Sequence, residues 1–286
     1  MPNFICTRCG MQFEETAAPP PHCPICLDDR QYLGPNGQEW TTLTELTRTS
    51  RTTTRPIEAG ITGIVTEPAF AIGQRAMLIE TPAGNILWDC ISSIDDETVH
   101  TLKSRGGLAA IALSHPHYYS SMVEWSRRLG GVPVYVHADD AEWVMRRDPC
   151  IVFWGGENRE ILPGVTLIRV GGHFPGSSVL HWQGGAAGKG SLHTGDSVYV
   201  VADKRYVSFM YSYPNLIPLP AAAVQRIAAA LDPFQFDRIY GAWWDAVVPE
   251  GAKMALAVSA QRYIDAITGQ RAAGEKGRDA PLPGRR

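Results

Sequence analysis

Two histidines two residues apart, His115 and His117, follow the apolar run 108–113 in the segment Leu113-Ser114-His115-Pro116-His117-Tyr118-Tyr119. Imidazole is the commonest protein ligand for zinc, copper and iron. The apolar run reads as a buried strand, and Pro116 biases His115 toward an extended backbone. In extended chain, residues i and i+2 face the same way, so both rings can reach one ion. A third histidine, His173, lies in the glycine-rich stretch Gly171-Gly172-His173-Phe174-Pro175-Gly176-Ser177, and a carboxylate, Asp196, ends His193-Thr194-Gly195-Asp196. Three protein ligands and an open position are the pattern of a catalytic zinc site. Asp196 reads as a fourth ligand, as a partner that orients a histidine, or as a general base. Tyr118 and Tyr119 offer phenols that can donate to an oxyanion, and Tyr119 is taken with Asp196 as a catalytic candidate. His137 reads as a cap between a strand and a helix, and His100, His181 and His193 as structural.

A second constellation opens the chain. Cys6-Thr7-Arg8-Cys9-Gly10 and Cys23-Pro24-Ile25-Cys26 are two C-x-x-C knuckles with thirteen residues between them. Four thiolates on two such turns close a tetrahedral zinc site, and Gly10 permits the tight turn that aims backbone N–H groups at sulfur. A segment of about thirty residues buries too little apolar surface to fold unaided, so metal ligation supplies the missing folding energy. A disulfide framework is the less favoured reading, because no secretory signal precedes the knuckles.

The elements that must position these groups follow from pattern. Residues 1–34 form the ribbon, and truncating them is expected to remove one metal equivalent. A threonine-rich linker, 35–56, follows, with a short helix around 43–46. Strands are expected at 61–66, 76–80 and 85–89, with a hairpin turn at Pro82-Ala83-Gly84-Asn85. Strands and helices then alternate. A capping box at Ser121 and Glu124 starts a helix that ends at Gly130-Gly131. Strand 132–137 leads to a helix over 141–147 capped by Asp139 and Asp140. Strands 165–170, 178–182 and 191–194, helix 220–231 and strand 238–241 come next. The last helix spans 250–267 with Pro249 as its first residue. The tail, 269–286, is polar and expected to be disordered.

The ordered histidines and Asp196 resemble the metallo-β-lactamase fold hydrolases. That family carries His-x-His-x-Asp-His after a strand, a lone His in a glycine-rich loop, an Asp after Thr-Gly or Ser-Gly, and a late His. The matches here are His115 and His117, His173, and Asp196, and Leu87-Trp88-Asp89 looks like the family's early strand ending in a structural Asp. The resemblance covers residues 57 to about 265 and implies an α/β fold, an αβ/βα sandwich, over 57–268. Tyr119-Ser120 stand where the family has Asp-His, and Ala242 in Tyr240-Gly241-Ala242-Trp243 stands where it has the late His. In the family those three residues build a second metal site, so the resemblance implies one metal here. The knuckles also resemble rubredoxin, whose four thiolates hold iron. The stretch has fewer aromatic residues than rubredoxin usually carries, which favours zinc. Zinc is thus expected at both Cys6, Cys9, Cys23, Cys26 and the histidine site, with iron the other metal that suits either.

With 286 residues, 44% of them hydrophobic, the chain is long enough for one sizeable core and a small appendage. A net charge of −3 gives no basic field for nucleic acid. No apolar stretch reaches the roughly 18 residues of a membrane span, and the expected location is the cytoplasm. Cys90 and Cys150 read as buried free thiols. The expected function is a mononuclear metal hydrolase acting on a small carbonyl compound such as an ester, lactone or thioester. The alternatives are a non-catalytic binding protein whose ribbon docks a protein partner, and an iron redox protein.

Overall fold

The computed structural model describes residues 1–270; the tail expected to be disordered lies outside the described residues from residue 271 onward. Two β-sheets face each other. The first has seven strands in the order Ile151–Trp154, Val134–His137, Ala110–Ala112, Gly84–Trp88, Ala76–Thr81, Ile61–Glu67 and Arg51–Glu58. The second has six, in the order Asn158–Leu162, Val165–Arg169, Ser178–Trp182, Ser191–His193, Arg238–Tyr240 and Val247–Val248. The two-residue period of a strand sorts the side chains into layers. Met77, Ile79, Ile86, Trp88 and Ala112 of the first sheet meet Val165, Leu167, Leu180 and Tyr240 of the second in the central layer. Leu78, Leu87 and Ile111 alternate with them and point outward, to Met122, Val123 and Trp125 of the helix Met122–Arg128. On the far side, Val179, Leu192 and Ile239 pack with the helices Ala221–Leu231 and Ala252–Ile267. This is the expected αβ/βα sandwich.

The amino-terminal segment does not hang from this body. Asn3–Cys6 pairs with Gln12–Glu15 on one side and with Trp40–Thr42 on the other. Trp40–Thr42 comes from the stretch read as linker. The rest of that stretch is ordered too: the helix Leu43–Thr49 leads into Arg51–Glu58, which pairs along its length with Ile61–Glu67. Met11, Phe13, Ile25 and the four knuckle cysteines share one apolar cluster with Leu78, Leu87, Ile111, Tyr119 and Met122. The ribbon therefore belongs to the outer core of the first sheet.

Three local expectations fail for identifiable reasons. Ser121 precedes the helix Met122–Arg128 without capping it. Its hydroxyl instead donates to the carbonyl oxygens of Ser92 (2.7 Å) and Ile91 (3.2 Å), tying the helix to the loop after Gly84–Trp88. The helix expected over 141–147 is a 3-10 segment, Ala138–Trp143, and the acceptor at its start is His137 rather than Asp139 or Asp140. The last helix begins at Ala252, after Gly251 in the left-handed region (φ +64°), and Pro249 lies outside it. The Pro249 carbonyl accepts from Arg238 Nε at 2.8 Å, which holds the proline to its neighbouring strand.

Candidate metal centre

The site forms where strand ends from both sheets meet. Ala110–Ala112 ends against Asp89, which takes the left-handed region (φ +61°) at the end of the adjacent strand. The Ser114 N–H donates to the buried Asp89 Oδ1 at 2.8 Å. His115 is extended (φ −169°), as its position before proline requires, but His117 lies in the 3-10 turn Pro116–Tyr118. The pair therefore converges through a turn that carries His117 back beside His115, with ring centroids 5.1 Å apart, and not through an extended i, i+2 register. Replacing Asp89 with alanine strands the buried Ser114 N–H and places a Cβ residue without local hydrogen bonding in the left-handed region. The expected cost is about 2–4 kcal/mol in urea unfolding, with weaker metal binding, whereas Asp89→Asn retains an acceptor oxygen and loses less. Equal stability of the alanine variant and the parent would show that Asp89 does not organise the histidine loop.

His173 comes from the loop between Val165–Arg169 and Ser178–Trp182. Gly171 and Gly172 both take positive φ there (+62° and +84°). Gly176 matters for space instead: a Cβ on it would lie 2.7 Å from the Asp140 carboxyl carbon. Asp140, expected as a helix cap, is buried and accepts the Gly176 N–H at 2.7 Å, holding the loop in place. Burial pushes its carboxyl up to about 7. His173 Nδ1 lies 2.8 Å from the Tyr211 carbonyl oxygen. A carbonyl only accepts, so Nδ1 carries the proton and Nε2 presents its lone pair to the centre. Asp196 arrives on the turn after Ser191–His193. Its neighbour Gly195 sits so close to Ser114 that a Cβ would be 2.5 Å from Ser114 Oγ.

These four residues bring one donor atom each within 4.8 Å of one another, all buried. His115 Nε2 lies 3.5 Å from Asp196 Oδ2, and His173 Nε2 lies 3.4 Å from His117 Nδ1. Burial and the neighbouring imidazoles push His117 well below its usual value and His173 down to about 3, so both rings are neutral, the form that ligates. His115 Nε2, the ring nitrogen turned toward Asp196, is buried with no hydrogen-bond partner. Buried polar atoms are rarely left so, and a cation shared by neutral imidazoles and a carboxylate is what this donor set suits. The four knuckle sulfurs form the other such group among the described residues. Cys6 and Cys26 Sγ are 3.5 Å apart, and Cys9 and Cys23 Sγ 3.6 Å. Zinc–sulfur bonds of about 2.3 Å in a tetrahedron set sulfurs about 3.8 Å apart, while a disulfide needs about 2.05 Å. All six cysteines are free.

The remaining expectations sort by position. Tyr119 is buried in the apolar cluster beneath the histidine loop, and burial pushes its phenol well up. The neighbouring phenol reaches the centre instead: Tyr118 Oη lies 3.4 Å from Asp196 Oδ1. His137 stays outside, its Nδ1 accepting the Asp139 N–H and its Nε2 3.1 Å from the Gly156 carbonyl. Ser120 and Ala242, where the second metal's ligands would stand, are built into other contacts. Gln74 Nε2 lies 3.4 Å from Ser120 Oγ, and the Ala242 carbonyl accepts the Arg75 N–H at 3.1 Å. The buried Arg75 guanidinium donates to the Gly241 carbonyl at 3.0 Å, fixing the turn that ends in Ala242.

Pattern reading missed one wall of the site. A cavity of about 350 Å³ opens onto His117, His173 and Asp196, with Tyr213 and Trp243 on one side and Arg8, Arg30, Gln31 and Tyr32 of the ribbon on the other. Tyr213 donates to the Asp196 carbonyl oxygen at 2.7 Å. Arg30 lies over the Phe174 ring at 3.9 Å and donates to the His173 carbonyl at 3.2 Å, while Asp28 neutralises it through two contacts of 2.6 and 2.9 Å. Asn215 Nδ2 latches the opposite loop to the ribbon through the Asp29 carbonyl at 2.8 Å. No sequence signal marks these ribbon residues, because their role exists only once the ribbon is docked.

The fold is that of the metallo-β-lactamases, here joined to a four-cysteine ribbon and a His115, His117, His173, Asp196 centre. Two solved structures show the likeness. The metallo-β-lactamase FIM-1 from Pseudomonas aeruginosa in its mono-zinc form is 16% identical, with a TM-score of 0.53 over 75% of this chain and 96% of that one. VMB-1 is 12% identical, with a TM-score of 0.55 over 76% of this chain and 98% of that one. No protein-family model matches. The uncharacterized protein YmaE of Bacillus subtilis (strain 168) is 49% identical over 272 residues, 94% of this chain and 98% of its own length. The chain belongs to the same family as YmaE.

Proposed function

We propose that the protein is a mononuclear metal hydrolase acting on a small carbonyl compound such as an ester, lactone or thioester. The convergence of three buried imidazoles and one carboxylate, with His117, His173 and Asp196 lining an open cavity, carries this reading. A zinc ion held there would supply a Lewis acid for the carbonyl and bring the acidity of water toward neutrality. The chain's own groups do the rest. His115, His117 and His173 would hold the ion, and the Tyr211 carbonyl sets the His173 tautomer. Asp196 directs Oδ2 toward His115 and Oδ1 toward Tyr118, so one carboxylate can both ligate and take up a proton. Burial pushes the Tyr118 phenol well up, so it stays neutral and remains a donor. The sequence substitutions at Tyr119, Ser120 and Ala242 support a single ion, and FIM-1 provides a case of this fold in a mono-zinc form.

Free thiols throughout suit a reducing compartment, and we place the protein in the cytoplasm. Among the described residues no helix is long and apolar enough to cross a membrane. The test is elemental analysis of purified protein together with turnover of ester, thioester and lactone panels. About two metals per chain are expected, with activity lost on chelation and restored by one zinc. A third tightly bound metal, or no turnover of any panel by metal-replete protein, would defeat the proposal.

A further inference from the structure

The pocket contains two guanidinium groups from the ribbon, and they differ in what they already bind. Arg30 is spent: Asp28 takes two of its nitrogens and the His173 carbonyl a third. Arg8 is not. Its guanidinium lies over the Tyr32 ring, 3.6 Å from the centroid, and its Nε is buried without a hydrogen-bond partner. Among the described residues the contact recorded for the Arg8 guanidinium is this stacking on Tyr32, and no acceptor meets its Nε. Arg8 lines the cavity, so its accessible N–H groups can meet a planar anion held there. The Tyr32 ring orients the fork and leaves its edge free. The knuckle holds the residue from behind: Arg8 sits between Cys6 and Cys9, and the Gly10 carbonyl accepts from Ser92 Oγ of the main body at 2.8 Å.

We propose that Arg8 is a specificity residue, presented by the ribbon to a carboxylate on the substrate, so that the compound processed is an anionic acyl compound and not a neutral one. A single uncommitted cation matches a monoanionic tail, which favours a carboxylate over a phosphate dianion. The ribbon thereby forms part of the substrate site. The substrate class deepens the hydrolase reading, and it rests on that reading for which end of the compound reacts.

Binding separates the two ideas. Glutarate and butyrate are titrated calorimetrically into metal-replete full-length protein, the Arg8→Leu variant and the Arg8→Lys variant. The parent is expected to prefer glutarate by about tenfold or more, the leucine variant to lose that preference, and the lysine variant to keep part of it. Metal content is checked in each variant; if Arg8→Leu sheds the ribbon metal, Arg8→Gln takes its place. A preference that survives in the leucine or glutamine variant overturns the proposal, as does a parent with no preference. Tighter Arg8-dependent binding of inorganic phosphate than of glutarate overturns the carboxylate assignment. The activity arm compares mono-4-nitrophenyl glutarate with 4-nitrophenyl butyrate. Arg8-dependent glutarate binding without turnover of either ester sustains Arg8 and removes the hydrolase reading. Turnover of both esters with a charge preference indifferent to Arg8 does the reverse.

Discussion

Replacing His173 with alanine is expected to lower bound metal from about two to about one per chain and to reduce hydrolysis by more than about 100-fold. The imidazole supplies one of four converging donors, and its tautomer is fixed from behind by the Tyr211 carbonyl at 2.8 Å. Even the loss of a partner behind a ligand commonly costs about 10–100-fold in affinity or rate, so loss of the ligand itself should exceed that. The substitution opens space rather than burying charge, and the ribbon thiolates are untouched, so the retained metal is the ribbon's. The matched control is His137→Ala. His137 is also buried, but its contacts are the Asp139 N–H, the Gly156 carbonyl and the Trp154 ring, 4.5 Å between centroids. That variant should lose about 1–2 kcal/mol of stability and keep both metals. Full metal occupancy in the His173 variant, read by elemental analysis after gel filtration, would falsify the assignment of the centre. Comparable metal loss at His137 would mean that the centre responds to general loosening of the fold.

Deleting residues 1–34 has a larger effect on the whole molecule than the loss of one metal. The sequence reads this segment as a small appendage whose removal takes one metal equivalent with it. The docked ribbon predicts instead a chain that aggregates or melts without cooperativity. Met11, Phe13 and Ile25 are buried in the cluster that holds Leu78, Leu87, Tyr119 and Met122. Three large apolar side chains at about 1.5–3 kcal/mol each amount to about 5–9 kcal/mol. That rivals the roughly 5–15 kcal/mol by which domains are stable at all. Replacing Cys23 by serine in the full chain should act in the same direction and more mildly, since one lost thiolate opens the ribbon without removing its apolar residues. Thermal unfolding followed by circular dichroism reads both. A soluble 35–286 fragment with a sharp transition and one bound metal would show that the ribbon is dispensable to the core.

The candidate metal-binding residues and the layers were legible in the sequence alone. His115, His117, His173 and Asp196 are recognisable because metal chemistry admits few side chains and strand ends come at readable places. The two C-x-x-C knuckles are legible for the same reason. The strands expected at 76–80 and 85–89 lie at Ala76–Thr81 and Gly84–Trp88, since short apolar runs on either side of a turn signal leave little choice of element. The tertiary structure alone decided everything that depends on which surfaces meet. Tyr118 and not Tyr119 reaches Asp196, because the chain enters a 3-10 turn at Pro116 instead of staying extended. Ser121 gives its hydroxyl to residues 91 and 92 rather than to its own helix, and Asp140 holds Gly176 rather than capping a helix start. Local signals name the donor and the acceptor, but long-range packing chooses between partners of similar local worth. The ribbon wall of the cavity is the extreme case. Arg8 and Tyr32 carry no pattern of their own, and they line the site only because the four-cysteine segment buries its apolar side chains against the first sheet.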